Sequence, residues 1–209
     1  MSSLVVFPFG GFGDSVARHI TVLRGDVGVM AFPSSTECLS NLIEETRTIV
    51  LASWRPAEHL CGLLDEASRK KRRTFIPVIL ESNSLTIGPV ARIAGGGCWE
   101  CWTKRARQLE SRPEEYISLL QYYDKHSAVG PQGYLPSTAL AGAALVAEII
   151  NKLDCGEQLK YDVWQLDILT QEVATMQVTS SHGCERCGSH RSEDTRTVLE
   201  IREALTYLW

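Results

Sequence analysis

The sequence contains no apolar run approaching the roughly 20 residues that a membrane-spanning helix needs, so no transmembrane segment is expected. It also lacks an excess of positive charge: 21 Lys and Arg stand against 25 Asp and Glu, a net charge of −4. That balance argues against a globally basic nucleic-acid binder. The N-terminus has no basic stretch before Leu4-Val-Val-Phe7, which reads as a buried strand, so no signal peptide is expected. Without an export signal the cytoplasm is the expected compartment. Seven cysteines there read as thiols and metal ligands rather than disulfides. No internal repeat is present beyond two Cys-x-x-Cys pairs.

With 44% hydrophobic and 22% charged residues, the chain suits one sizeable core, or one domain plus an appendage. Its first part alternates strand-like and helix-like segments. Leu4 to Phe7 predicts a short strand, followed by a glycine turn and a helix from about Asp14 to Leu23. Val27 to Phe32 predicts a second strand, and Ser34 or Ser35 can cap a helix ending near Thr46. Thr48 to Trp54 predicts a third strand. Pro56 suits the first turn of a helix reaching about Lys71, with Leu60, Leu63, Leu64 and Ala67 on one face. Phe75 to Leu80 predicts a fourth strand, in which Pro77 points to a bulge or an edge position. Apolar strands alternating with helices imply an α/β fold with a mostly parallel sheet.

From about Leu85 the pattern changes. Thr86 to Ile93 is extended, and Gly95-Gly-Gly97 leads into Cys98-Trp-Glu-Cys101. A single helix is expected from about Trp99 to Tyr123, then a Gly- and Pro-rich loop from Gly130 to Pro136. Ser137 can cap a long helix to about Leu153. Val163 to Leu169 and Glu172 to Val178 predict an antiparallel hairpin turning near Thr170-Gln171, ahead of His182-Gly-Cys-Glu-Arg-Cys-Gly188.

A Cys-x-x-Cys pair places two thiolates on one tight turn, at adjacent corners of a tetrahedron. Cys98, Cys101, Cys184 and Cys187 together supply the closed four-sulfur shell of one structural zinc ion, with no position left for substrate or water. Gly97, Gly183 and Gly188 beside the pairs are expected to let backbone amides approach the sulfurs. The 82 residues between Cys101 and Cys184 far exceed a zinc ribbon's spacer, so the ion is expected to join distant segments. Closing that loop costs on the order of 4 kcal/mol, against roughly 10–16 kcal/mol from structural zinc. The alternatives are buried free thiols or a redox dithiol, but a dithiol needs only one pair. Cys38, Cys61 and Cys155 read as small hydrophobes.

Phe9-Gly-Gly-Phe-Gly-Asp14 follows a strand and opens a helix, the context that a nucleotide fold requires of its glycines, here Gly10, Gly11 and Gly13. A plain tight turn needs the same residues. The segment resembles the Gly-Gly-Leu-Gly-Ser segment of ubiquitin-activating-enzyme-like (ThiF/MoeB-type) adenylyltransferases, which also hold a zinc with two widely spaced Cys-x-x-Cys pairs. Closer still are the partner proteins of cyclodehydratases that make thiazole/oxazole-modified peptides such as bacteriocins. Ile87-Gly-Pro-Val90, then Gly97-Cys-Trp-Glu-Cys-Trp-Thr-Lys-Arg105, and His182 to Gly188 carry that resemblance, which spans about residues 4–188.

The resemblance implies a degenerate Rossmann-like (ThiF-type) half over residues 1–84. It implies a zinc-stapled helical and β-hairpin portion over 85–190, packed on the same core, and a tail over 191–209. It further implies a non-catalytic scaffold in peptide maturation, with a YcaO-type ATP-dependent enzyme and a precursor peptide as partners. No nucleic-acid or membrane partner is implied.

Three departures bear on nucleotide. Pro8 stands where the family has a further glycine. Asp14 is expected to cap the helix where a phosphate would sit, repelling it. The second strand ends Ala31-Phe-Pro33 without the acidic residue that holds a ribose. Together they predict a glycine turn that no longer handles ATP, although Arg18 or Arg24 remains as an anion contact. The family's N-terminal winged-helix segment, which clamps the leader peptide, is expected to have no counterpart here, since the first strand is expected at about residue 4. Leader binding is therefore not carried over.

An adenylyltransferase that activates a peptide carboxylate is the enzyme alternative, and a zinc-containing protein-interaction adaptor the third. Arg69-Lys-Lys-Arg-Arg73 reads as a solvated helix end, with a docking patch extended by Lys104, Arg105 and Arg107 as the alternative. His59, His126, His182 and His190 form no catalytic pattern, and Asp65 and Glu66 read as solvated acids; no catalytic residue is assigned. His182 is a candidate replacement ligand. Trp99, Trp102 and Trp164 are expected around the zinc region and hairpin. The apolar end Tyr207-Leu208-Trp209 is expected to dock on this subunit or on a second copy, so a homodimer stays open.

Overall fold

The computed structural model describes residues 3–33, 35–91, 97–131, 133–160, 162–181 and 183–187. Three short apolar runs build the middle of a sheet: β1 (Leu4–Phe9), β3 (Thr48–Ser53) and β4 (Thr74–Leu80). Their side chains alternate between two cores, as the two-residue period of a strand requires. Leu4, Val6, Val50, Ala52, Ile76 and Val78 face one side. Val5, Phe7, Ile49, Leu51, Phe75 and Ile79 face the other.

The first core is roofed by α1 (Gly10–Arg24) and α6 (Pro136–Asp154). The second is covered by α2 (Thr36–Glu45) and α3 (Glu58–Lys70), with Trp99 of α4 (Trp99–Leu109) at its margin. The remaining elements are β2 (Val27–Val29), β5 (Ser84–Ile87), α5 (Pro113–Lys125), β6 (Val163–Asp167) and β7 (Val173–Met176). One seven-stranded sheet runs β2-β1-β3-β4-β5-β6-β7. The first four strands are parallel, and β5, β6 and β7 add antiparallel ladders. The sheet is thus mixed α/β, with β1, β2, β3, β4 and β6 all pointing the same way.

Ser35 caps α2 as expected, its Oγ accepting the Cys38 N–H at 3.2 Å. Several boundaries differ from the sequence reading. The glycine turn is wound into α1, which starts at Gly10, so Asp14 lies exposed inside the helix and caps nothing. The expected helix over 99–123 is two helices, because Pro113 occupies the first turn of α5 and cannot continue α4. Pro136 likewise opens α6, so Ser137 lies inside it. Pro56 precedes α3 rather than joining its first turn, and the buried line of α3 runs through Cys61, Leu64 and Ser68, leaving Leu63 outward.

Pro77 is central, not at an edge. Its carbonyl accepts from Gly88 at 2.8 Å, beyond the last β4–β5 pair Val78↔Ile87, so the missing N–H falls where the ladder stops. Cys61 is buried, whereas Cys38 and Cys155 are exposed. Among the described residues no helix is long and apolar enough to cross a membrane. The tail after Cys187, with Tyr207 to Trp209, and His182, His190 and Gly188 lie outside the described residues.

Candidate metal centre

The first cysteine pair rides on the start of a helix. Cys98 is the N-cap residue of α4 and Cys101 stands in its first turn, where unpaired N–H groups and the helix dipole favour thiolates. The second pair lies on the loop that follows β7. Cys98 and Cys101 sulfurs are 3.7 Å apart, Cys98 and Cys184 3.5 Å, and Cys101 and Cys187 3.4 Å. All four lie within 4.8 Å of one another and can hold a metal ion. A regular zinc tetrahedron with roughly 2.3 Å bonds has edges of about 3.8 Å, so the donor set fits, and every separation is far too long for a disulfide.

Cys98, Cys101 and Cys184 are buried, in a shell of Val163, Val178, Met176 and Trp102. Burial pushes the Cys98 and Cys187 thiols up. Burial acts the same way on Cys101, but hydrogen bonds, led by the Ser181 backbone N–H at 3.1 Å, outweigh it and lower this thiol to about 6. One member of the group thus holds a negative charge readily. The Lys104 ammonium is stabilised first by Glu100 and further by the charge of Cys184 and Cys101.

The wall behind the sulfurs was only partly legible from sequence. Gly97 donates its N–H to the Val178 carbonyl at 2.6 Å, and a Cβ there would meet Val178 Cγ1 at 2.3 Å. Its role is close approach to the strand leaving β7, not an amide offered to sulfur. Arg69 donates to the Gly97 carbonyl at 2.9 Å and to Asp65 at 3.0 Å. Asp65 is therefore a buried ion-pair partner, not a solvated acid, with its pKa raised by burial against the pull of Arg69.

Arg186, between the two ligands of the second pair, reaches the Gly62 carbonyl at 3.2 Å, Glu66 at 3.5 Å and Glu100 at 3.4 Å. It helps wall a groove of about 400 Å³ with Trp99, Gly62 and Arg107. No spacing signal announces it. Trp102 does pack on the cysteine shell, Trp99 on the second core, and Trp164 on the first core rather than on the cysteine shell. Much of the basic run is engaged locally: Lys70 with Glu66, Lys71 with Glu44, and Arg73 with the Glu44 carbonyl.

The glycine turn sits elsewhere, at the C-terminal end of β1. Gly10 adopts φ +68, and a Cβ on it would lie 2.4 Å from the Trp54 indole. A Cβ on Gly11 would touch Tyr134 at 3.7 Å, and one on Gly13 would strike the Ala52 carbonyl at 2.4 Å. Arg24 is committed to Asp154 at 2.8 Å, and Arg18 is exposed.

No protein-family profile matches the sequence, and no curated protein matches it by sequence. Solved structures do share its fold. A heterocyclase in complex with substrate and cofactor superposes with a TM-score of 0.62 at 19% identity, covering 90% of this chain and 25% of that one. The heterocyclase TruD gives 0.59 at 16%, over 88% of this chain and 27% of that one. MccB of E. coli gives 0.61 at 14%, over 93% of this chain and 67% of that one. The chain spans about a quarter of the heterocyclases it matches. At such identities the likeness is one of fold.

Proposed function

We propose that this chain is a non-catalytic scaffold in the maturation of a ribosomally made peptide. It supports a YcaO-type azoline-forming cyclodehydratase and presents the precursor peptide. In this reading residues 1–84 form a degenerate Rossmann-like, ThiF-type half, and residues 85–190 carry one structural zinc on Cys98, Cys101, Cys184 and Cys187. The observation that carries it is the buried four-sulfur cluster set on a sheet whose fold neighbours are heterocyclases and MccB.

Four thiolates leave a zinc ion no open position, so the ion would supply a cross-link between α4 and the loop after β7, not Lewis-acid chemistry. The Trp54 indole against Gly10, and the missing acidic residue after β2, support the absence of nucleotide chemistry. The test is reconstitution with the cognate cyclodehydratase and peptide. Dehydration of the peptide, read by mass spectrometry, is expected to need this chain, and peptide cyclised equally well without it would refute the role.

A second reading, an adenylyltransferase activating a peptide carboxylate, draws on the MccB structures, one of them with ATP, and on the glycine turn itself. ATP–pyrophosphate exchange by the purified chain would favour it over the scaffold.

A further inference from the structure

In an open α/β sheet, ligands bind at the carboxyl ends of the strands where the winding reverses. Here the order β2-β1-β3-β4 puts that point between β1 and β3, at Phe9-Gly10 and Ser53-Trp54. The crevice there is filled by the chain itself. The indole of Trp54 lies against Gly10 on one side and Gly130 on the other. A Cβ on Gly130 would lie 2.7 Å from Trp54 Cη2 and 2.8 Å from Arg55 Cδ. Tyr134 stands edge-on to Phe12, ring centroids 5.6 Å apart, beside Gly11.

The segment that brings Gly130 and Tyr134 here is pinned at its root by Arg55, which is only 5% exposed. Arg55 Nη2 donates to the carbonyls of Tyr123 at 2.9 Å, Ser127 at 3.4 Å and His126 at 3.5 Å. Its guanidinium also stacks 4.5 Å over the Tyr123 ring. A buried cation is tolerated only when it is compensated in this way. Three carbonyls at the end of α5 and an aromatic face make Arg55 a latch between the end of β3 and the start of the segment that follows α5.

We propose that the described residues 126–131 and 133–135 act as an internal strap. Latched by Arg55, it occupies the crevice where a nucleotide would enter and holds it shut. As an account of how that crevice is regulated, this rests on the non-catalytic reading above. The strap, not only the composition of the glycine turn, then keeps the first-turn amides of α1 from an anion.

The experiment is limited trypsin digestion of the full chain, followed by peptide mapping. Lys125 lies between the latched carbonyls of Tyr123 and His126 and is exposed. In Arg55→Met, cleavage after Lys125 is expected to accelerate roughly 10- to 100-fold, the loss of hydrogen bonds to a charged group. Arg47→Met, which alters an exposed arginine paired with Asp154, is expected to stay within about twofold of the unmodified chain. Gly130→Val crowds both the Trp54 indole and the Arg55 Cδ while leaving the guanidinium itself in place, and is expected to reproduce the cleavage pattern of Arg55→Met.

Unchanged cleavage after Lys125 in both variants would overturn the latch while leaving the scaffold reading intact. So would an equal rise at every tryptic site, which signals general unfolding. Micromolar ATP binding by the unmodified chain, with Lys125 still protected, would overturn both.

Discussion

Removing the metal offers the sharpest test of the site, because its effect should be local. The described residues 180, 181 and 183–187 are tied to the rest of the fold through Cys184 and Cys187, the Ser181 N–H to Cys101, and the contacts of Arg186. Freeing these seven residues regains about 7–14 kcal/mol of backbone entropy, at roughly 1–2 kcal/mol each. Structural zinc supplies roughly 10–16 kcal/mol. The two terms nearly cancel, so a zinc bound here would hold this segment and have little to spare for the sheet. Strands β1, β3 and β4 have two apolar cores of their own.

Chelation should therefore release one zinc per chain and collapse the hydrogen-exchange protection of the Cys184 amide, bonded to the Ser181 carbonyl at 3.1 Å. Amides within β1 and β3 should keep theirs. Exchange followed by mass spectrometry, with metal measured on the same samples, reads both outcomes. Equal loss of protection across β1 and β3 would refute the local reasoning. Protein purified without chelator and lacking zinc would refute the site.

Gly97→Ala forces a Cβ to within 3.0 Å of the Val178 carbonyl and should cost about 1–3 kcal/mol, read as a lower thermal midpoint with weaker zinc retention. Gly183→Ala meets no neighbour within 4 Å and pays only for its φ of +72, about 1 kcal/mol, in the same assay. Arg186→Ala removes half-exposed ion pairs to Glu66 and Glu100 and should cost about 1 kcal/mol or less. Its zinc content by elemental analysis should stay at one per chain. Asp167 accepts the backbone N–H groups of Thr170 and Leu169, which hold its carboxyl below the ordinary range. Its contribution to the hairpin turn is thus present above the unfolded carboxylate pKa and lost as pH falls through the lower folded value. NMR titration of its side chain should show that depressed midpoint, and Asp167→Asn should flatten the acid dependence of the turn.

Local chemistry was the legible part of this sequence. Two Cys-x-x-Cys pairs can be read from spacing alone because tetrahedral coordination fixes ligand type and local geometry, whatever lies between. Ser35 and the strands over 4–9, 48–53 and 74–80 follow from short-range signals of the same kind. Asp14 misled because Gly10 tolerates a left-handed φ, letting the helix start four residues earlier than the acid suggests. Pro113 and Pro136 carried usable helix-start signals that Ser137 and the apolar period obscured. Nothing local announced that Trp54 would lie between Gly10 and Gly130, or that Arg55 would reach carbonyls 68 to 72 positions away. Such contacts are set by tertiary packing.

The wide separation of the two cysteine pairs also sets a timetable for biosynthesis. Cys184 follows Cys101 by 83 positions, a delay of roughly 4–17 s at ordinary translation rates. During that interval the nascent chain carries Cys98 and Cys101 as a bare dithiol, open to oxidants and to the wrong cation. A metal held by all four sulfurs could close this link only after Cys187 has been made, which would make ion supply a checkpoint that follows synthesis of the sheet.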